Sequence, residues 1–89
     1  MSSIASRKLN VGNRPMQTYM YLVSTYINQG IRRIILHGRG ENISRAVDLY
    51  NLINYRLEGL VRLARVGIGT EEYSGRHTRY IELELEILR

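Results

Sequence analysis

The stretch IRRIILHGRGENISRAVDLYNLINYRL, residues 31–57, changes its apolar period in the middle, and that change decides the fold. Ile31 to His37 is a β-branched, apolar run, too short for a helix and bounded by Gly30 and Gly38, which predicts a buried strand. Beyond Gly38-Arg39-Gly40-Glu41, residues Ile43, Ala46, Val47, Tyr50, Ile53 and Leu57 recur at helical steps on one stripe. A helix from Ile43 to about Leu57 follows, with Asn42 as its N-cap and Gly59 as its terminator.

Upstream, Met16, Tyr19, Met20, Val23, Tyr26 and Ile27 place an earlier helix over Pro15 to Gln29, closed by Gly30 in the C′ position. Arg7 to Val11 reads as a short first strand stopped by Gly12. Downstream, Leu60 to Thr70 is extended, although its alternation slips around Leu63 to Arg65, and Gly67 and Gly69 suggest a bulge or bend. The clearest two-residue period is the last, where Ile81, Leu83, Leu85 and Ile87 alternate with Glu82, Glu84 and Glu86. Between these strands Ser74-Gly75-Arg76-His77 is expected to be a hairpin tip. The order predicts a single α+β domain over residues 1–89, of βαβαββ topology, with a four-stranded mixed sheet and both helices on one face.

A chain of 89 residues with 44% hydrophobic content suffices for one core, near the size at which a subunit interface adds needed stability. There is no cysteine, and His37 and His77 share no ligand spacing, so neither a metal nor another cofactor is expected. No apolar run approaches the roughly 18 residues of a membrane span, which leads to the expectation of a soluble intracellular protein with no membrane partner. Thirteen basic residues against eight acidic ones give a formal net charge of +5, and all the basic residues but Lys8 are arginine. Arginine favours forked contacts to phosphate over point-charge attraction, so acidic partners are expected.

Two helix openings concentrate that charge. The first, Gly12-Asn13-Arg14-Pro15, carries no carboxylate to offset the positive end of the helix dipole, and its amides are expected to be free for an anion. The second places Arg39 just before Asn42 and Arg45 in the first helical turn. A cation there opposes the dipole at a cost of about 0.3–1 kcal/mol when exposed, so phosphate binding explains Arg14, Arg39 and Arg45 better than folding stability does. The competing reading is solvated arginines with Glu41 as local counter-charge. Arg76, His77 and Arg79, beside Tyr73, form a third basic cluster, on a ribbon of a size to enter a duplex groove; otherwise it is a plain polar turn.

Other motifs carry less. Gly38-Arg39-Gly40 lacks the third glycine of a dinucleotide-binding turn, since Ile43 stands there. The row Glu82, Glu84, Glu86 reads as a solvated strand face with Arg62 and Arg65 as cross-strand partners, rather than as acid–base or metal-binding carboxylates. No serine, histidine and acid fall in a nucleophile pattern, and no catalytic function is expected.

The segment Arg39-Gly40-Glu41-Asn42-Ile43-Ser44-Arg45-Ala46-Val47-Asp48 resembles the R-G-x-x-I-S-[KR]-A-V-D segment of the Alba proteins of archaeal chromatin. Gly12-Asn13-Arg14-Pro15, Asn28-Gln29-Gly30 and Arg65-Val66-Gly67 extend the resemblance over nearly the whole chain. It implies a two-fold dimer, homodimeric or formed with an Alba paralogue, that presents helix openings and hairpin arms to nucleic acid. The implied function is largely sequence-independent binding of double-stranded DNA, coating or compacting it as a chromatin protein, with RNA also bound. The implied location is cytoplasmic and chromosome-associated. An RNA-binding subunit of a ribonucleoprotein such as ribonuclease P is the alternative within the resemblance, and a protein-interaction module the alternative outside it. The family's basic pair in its G-K-K-P segment falls on Asn13 and Arg14, so a lysine open to acetylation is missing there. An aromatic residue that packs neighbouring dimers together corresponds to Leu57.

Overall fold

The computed structural model describes residues 5–88; residues 1–4 and 89 of the expected domain lie outside the described residues. The elements are β1 (Ser6–Asn10), α1 (Met16–Asn28), β2 (Arg33–Arg39), α2 (Ile43–Arg56), β3 (Val61–Tyr73) and β4 (Arg76–Ile87), with a single 3-10 turn at Gly40–Asn42. The sheet runs β1-β2-β4-β3, with β1 parallel to β2 and the other pairs antiparallel. The predicted βαβαββ order and mixed sheet are the observed ones.

Pairing fixes which side chains share a face. Ile34 faces Leu85 and Leu36 faces Leu83, and all four are buried beneath the helices together with Leu9, Val61 and Ile87. From the helices, Tyr19, Met20, Val23 and Ile27 of α1 and Ala46, Leu49 and Ile53 of α2 close the core. Each fully buried Leu or Ile contributes about 1.5–3 kcal/mol by leaving water. The expected stripe of α2 omitted Leu49, which is fully buried, whereas Ile43, Val47, Tyr50 and Leu57 are only half-buried. The helix is therefore rotated relative to that reading.

Gly30 closes α1 as predicted: it adopts φ +83°, and the Ile31 N–H donates to the Tyr26 carbonyl at 3.0 Å. Asn42 stands in the N-cap position of α2 but makes no side-chain capping bond. Three strand readings are corrected. Strand β2 starts two residues later than expected and continues through Gly38 to Arg39, because its pairing with β1 begins at Ser6 and Arg33. Gly38 is thus no breaker: a Cβ there would lie 2.4 Å from the Asn42 carbonyl oxygen and 2.9 Å from the Ala46 Cβ, so its absence lets α2 start against the strand. The bulge falls between Leu63 and Arg65, where the alternation slips, and not at Gly67 or Gly69. Those glycines instead leave room for the Arg65 guanidinium and the Tyr80 hydroxyl, which would lie 2.8 and 2.9 Å from added Cβ atoms.

The hairpin turn is also tighter than expected. Ser74 and Gly75 alone form it, with φ +52° and +76°, the positive values that primed two-residue turns require. Arg76, His77 and Arg79 therefore stand on β4 and not in a loop.

Candidate nucleic-acid interface

The topology brings the predicted segments to one end of the sheet. Strands β1 and β2 are parallel, so the loops that follow their carboxyl ends, Gly12–Pro15 and Gly40–Asn42, lie side by side. The Val11 N–H, donating to the His37 carbonyl at 2.8 Å, carries the pairing to the edge of that end. Antiparallel β4 meets Arg39 at Tyr80, and its residues Arg76 to Arg79 continue past the end of β2, paired only with β3. A two-stranded arm therefore rises from the end where both helices begin.

The first opening is held from two sides. The N–H groups of Gly12 and Arg14 donate to the Tyr19 hydroxyl oxygen at 2.7 and 3.3 Å. Arg45 Nε donates to the Gly12 carbonyl at 2.7 Å, and a terminal nitrogen of the same guanidinium donates to the Arg14 carbonyl. One expectation needs correction. The amides of Gly12 and Arg14 are not free for an anion, because a buried tyrosine already satisfies them. Arg45 gives two of its five N–H groups to carbonyls of the same loop. The Asn13 and Arg14 side chains remain exposed.

Arg39 stands between the second opening and the arm. Its guanidinium carbon lies 4.1 Å from the centroid of the Tyr73 ring, and Nη1 lies 3.1 Å from Glu71 Oε2. Sequence reasoning placed Tyr73 beside the basic cluster but missed Glu71, which sits on a strand extended past its expected end at Thr70. Arg76 and Arg79 are exposed and, pairing with Tyr73 and Thr70, stand at positions of opposite facing on the ribbon. His77 is exposed too. Among the described residues, Arg14, Arg76 and Arg79 make no ion pair, in contrast to the cations of the open sheet face.

On that open face His37 is 3% exposed and meets a carboxylate at each ring nitrogen: Nδ1 is 2.8 Å from Glu82 and Nε2 is 3.1 Å from Glu71. Its ring stacks on Tyr80 with centroids 5.1 Å apart. The hydrogen bond from His37, aided by Lys8 at 3.4 Å and outweighing the opposing effect of burial, holds the Glu82 carboxyl below its ordinary range. Arg62 does the same for Glu86. The expected partnership of the glutamate row with Arg62 and Arg65 is present, and Arg33 and Lys8 join it from the other side. No described helix is long and apolar enough to cross a membrane, and no group of acidic, histidine or cysteine side chains among the described residues could hold a metal ion.

A protein-family model described as Alba matches residues 8–70. A DNA/RNA-binding protein Alba of Methanocella arvoryzae is 37% identical over 62 residues, which span 70% of this chain and 65% of that protein. DNA/RNA-binding protein Alba 2 of Saccharolobus solfataricus is 44% identical over 64 residues, 72% of each chain. The solved structure of Alba from Thermoplasma volcanium superposes with a TM-score of 0.82 at 26% identity, covering 90% of this chain and 99% of that one. ALBA1 from Trypanosoma brucei shares the fold, with a TM-score of 0.75 at 16% identity over 90% of this chain and 68% of that one.

Proposed function

The chain belongs to the Alba family, and from that membership and the basic end of its sheet we propose a dimeric, largely sequence-independent nucleic-acid-binding protein. It coats or compacts double-stranded DNA, is chromosome-associated, and also binds RNA. The observation that carries this reading is the convergence of Asn13, Arg14, Arg39, Asn42, Arg45, Arg76, His77 and Arg79 on one end, where Arg14, Arg76 and Arg79 make no ion pair among the described residues. Phosphate contacts from such a surface give affinity without base readout. The names of the relatives, DNA/RNA-binding proteins, support the class of partner.

Dimerisation is supported by an apolar groove of about 480 Å³ lined by Ile43, Ile68, Gly69, Thr70, Arg79, Tyr80 and Ile81. Ile68 is 78% exposed and Val66 beside it is exposed too, an unusual cost for strand residues of a small domain. A second copy, or an Alba paralogue of similar surface, covers this groove and sets two basic ends in one particle.

Binding to a mixed-sequence duplex and to a structured RNA over a salt series, with sedimentation of the free protein, tests the proposal. Affinity for duplex DNA that is indifferent to sequence and falls steeply with salt is expected, from a species of about twice the chain mass. Strong preference for the structured RNA favours a ribonucleoprotein subunit. Salt-insensitive binding, or none, leaves a protein-interaction module.

A further inference from the structure

The backbone N–H and C=O groups of Gly12 and Arg14 are satisfied by two side chains from two different helices. The Tyr19 hydroxyl takes both N–H groups, and the Arg45 guanidinium gives to both carbonyls. Tyr19 is 3% exposed, so it does not reach a macromolecule lying on the surface. The guanidinium of Arg45 is a rigid fork: two of its five N–H groups, on Nε and one terminal nitrogen, go to the two carbonyls, which fixes the plane in which the other three lie. Asn13 and Arg14 stay exposed on the loop these groups hold, with Pro15 fixing the backbone where α1 begins.

We propose that Tyr19 and Arg45 are positioning residues for nucleic-acid binding, which together hold the Gly12–Pro15 loop so that Asn13 and Arg14 meet phosphate already ordered. This rests on the function proposed above and reassigns Arg45 within it. An unheld loop of this composition loses backbone freedom when it binds, and that loss weakens affinity. Holding it in the free protein removes the loss from the binding step. Arg45 makes no carboxylate contact among the described residues, so its charge still adds to the field at this end while two of its N–H groups hold the loop.

The test is binding of a mixed-sequence duplex by the full chain and its variants over a salt series, at temperatures well below each variant's unfolding midpoint. Tyr19→Phe removes one hydroxyl and no charge; it should weaken binding about three- to tenfold with an unchanged salt slope. Arg45→Lys keeps the charge and loses the fork, and should weaken binding by a similar factor with an unchanged salt slope, whereas Arg45→Ala should weaken it further and lower the slope. In an Arg14→Ala background the Tyr19→Phe effect should largely vanish, because the hydroxyl acts through that loop. Exchange of the Gly12 and Arg14 amides should quicken in both single variants. Lowered melting midpoints with unchanged affinity in Tyr19→Phe and Arg45→Lys would overturn the inference, as would an undiminished Tyr19→Phe effect beside Arg14→Ala. A wild-type protein that binds no duplex overturns the function and the inference together; a wild-type that binds while these variants bind equally well overturns the inference alone.

Discussion

Beneath the helices Ile34, Leu36, Leu83, Leu85 and Ile87 are almost wholly buried, whereas on the open face the same strands set Arg33 against Glu84, Lys8 against Glu82, and His37 between Glu71 and Glu82. The covered face stabilises by removing apolar area from water, an effect that salt does not screen. The open face holds half-exposed ion pairs, each worth little in water. Its larger consequence is for charge: the acidic row of β4 is matched by Arg33, Arg62, Arg65 and Lys8 on the sheet, so the net +5 is not spread evenly. At the end where both helices begin, Arg14, Arg76 and Arg79 make no ion pair among the described residues.

The largest effect should come from the covered face. Leu85→Ala removes a fully buried side chain from β4, an inner strand of the sheet, and should cost about 2–5 kcal/mol, measured as a lowered urea midpoint with little change in slope. A loss below about 1 kcal/mol would mean that the two faces share the stabilisation more evenly than their burial indicates. At the basic end, the double variant Arg76→Ala, Arg79→Ala should keep the fold, because both side chains are exposed in the single chain, and sedimentation checks that the dimer survives the loss of Arg79 from the groove. It should reduce the salt slope for duplex binding by up to about two units. An unchanged slope would remove the arm from the binding surface.

The open face should show itself in acid. The Glu82 carboxyl is held low in the folded protein, so its contribution is present above its unfolded value and is lost as pH falls through the lower folded value. Glu82→Gln should therefore flatten the acid limb of a stability-against-pH curve below about pH 4.5 and lower the unfolding midpoint near neutrality. Equal acid limbs in the two proteins would place the acid sensitivity elsewhere.

Much of this arrangement was legible in the sequence, because period carries burial. The alternation of Ile81 to Ile87 with Glu82 to Glu86 gave both faces of β4, and the slip at Leu63 to Arg65 marked the bulge that the register shows there. Long-range polar partners were not legible. Tyr19 fits the apolar stripe of α1, and nothing in its spacing indicates that its hydroxyl takes two loop amides. Helix periodicity places Arg45 in the first turn of α2 but names no partner, and its carbonyl partners lie far back in the chain, at Gly12 and Arg14. Glu71 escaped notice because the end of β3 was placed at Thr70, before the residue that meets both His37 and Arg39.

The smallest expected effect sharpens the contrast most. Arg62→Ala removes one positive charge, as Arg76→Ala does, so binding governed by net charge alone would weaken equally in both variants. Position predicts otherwise. Arg62 pairs with Glu86 near the far end of β4, and ten residues of strand at about 3.4 Å each separate Glu86 from Arg76, roughly 34 Å in all. That distance is about four Debye lengths at physiological salt, so a charge lost there is screened from a phosphate at the arm. Arg62→Ala should therefore leave duplex affinity and its salt slope within measurement scatter, with the unfolding midpoint little changed for a 58% exposed side chain. Arg76→Ala should lower the slope by about one unit. Equal losses from the two substitutions, measured side by side at the same salt, would show that nucleic acid responds to the chain's total charge, and the basic end would lose its claim to be the site.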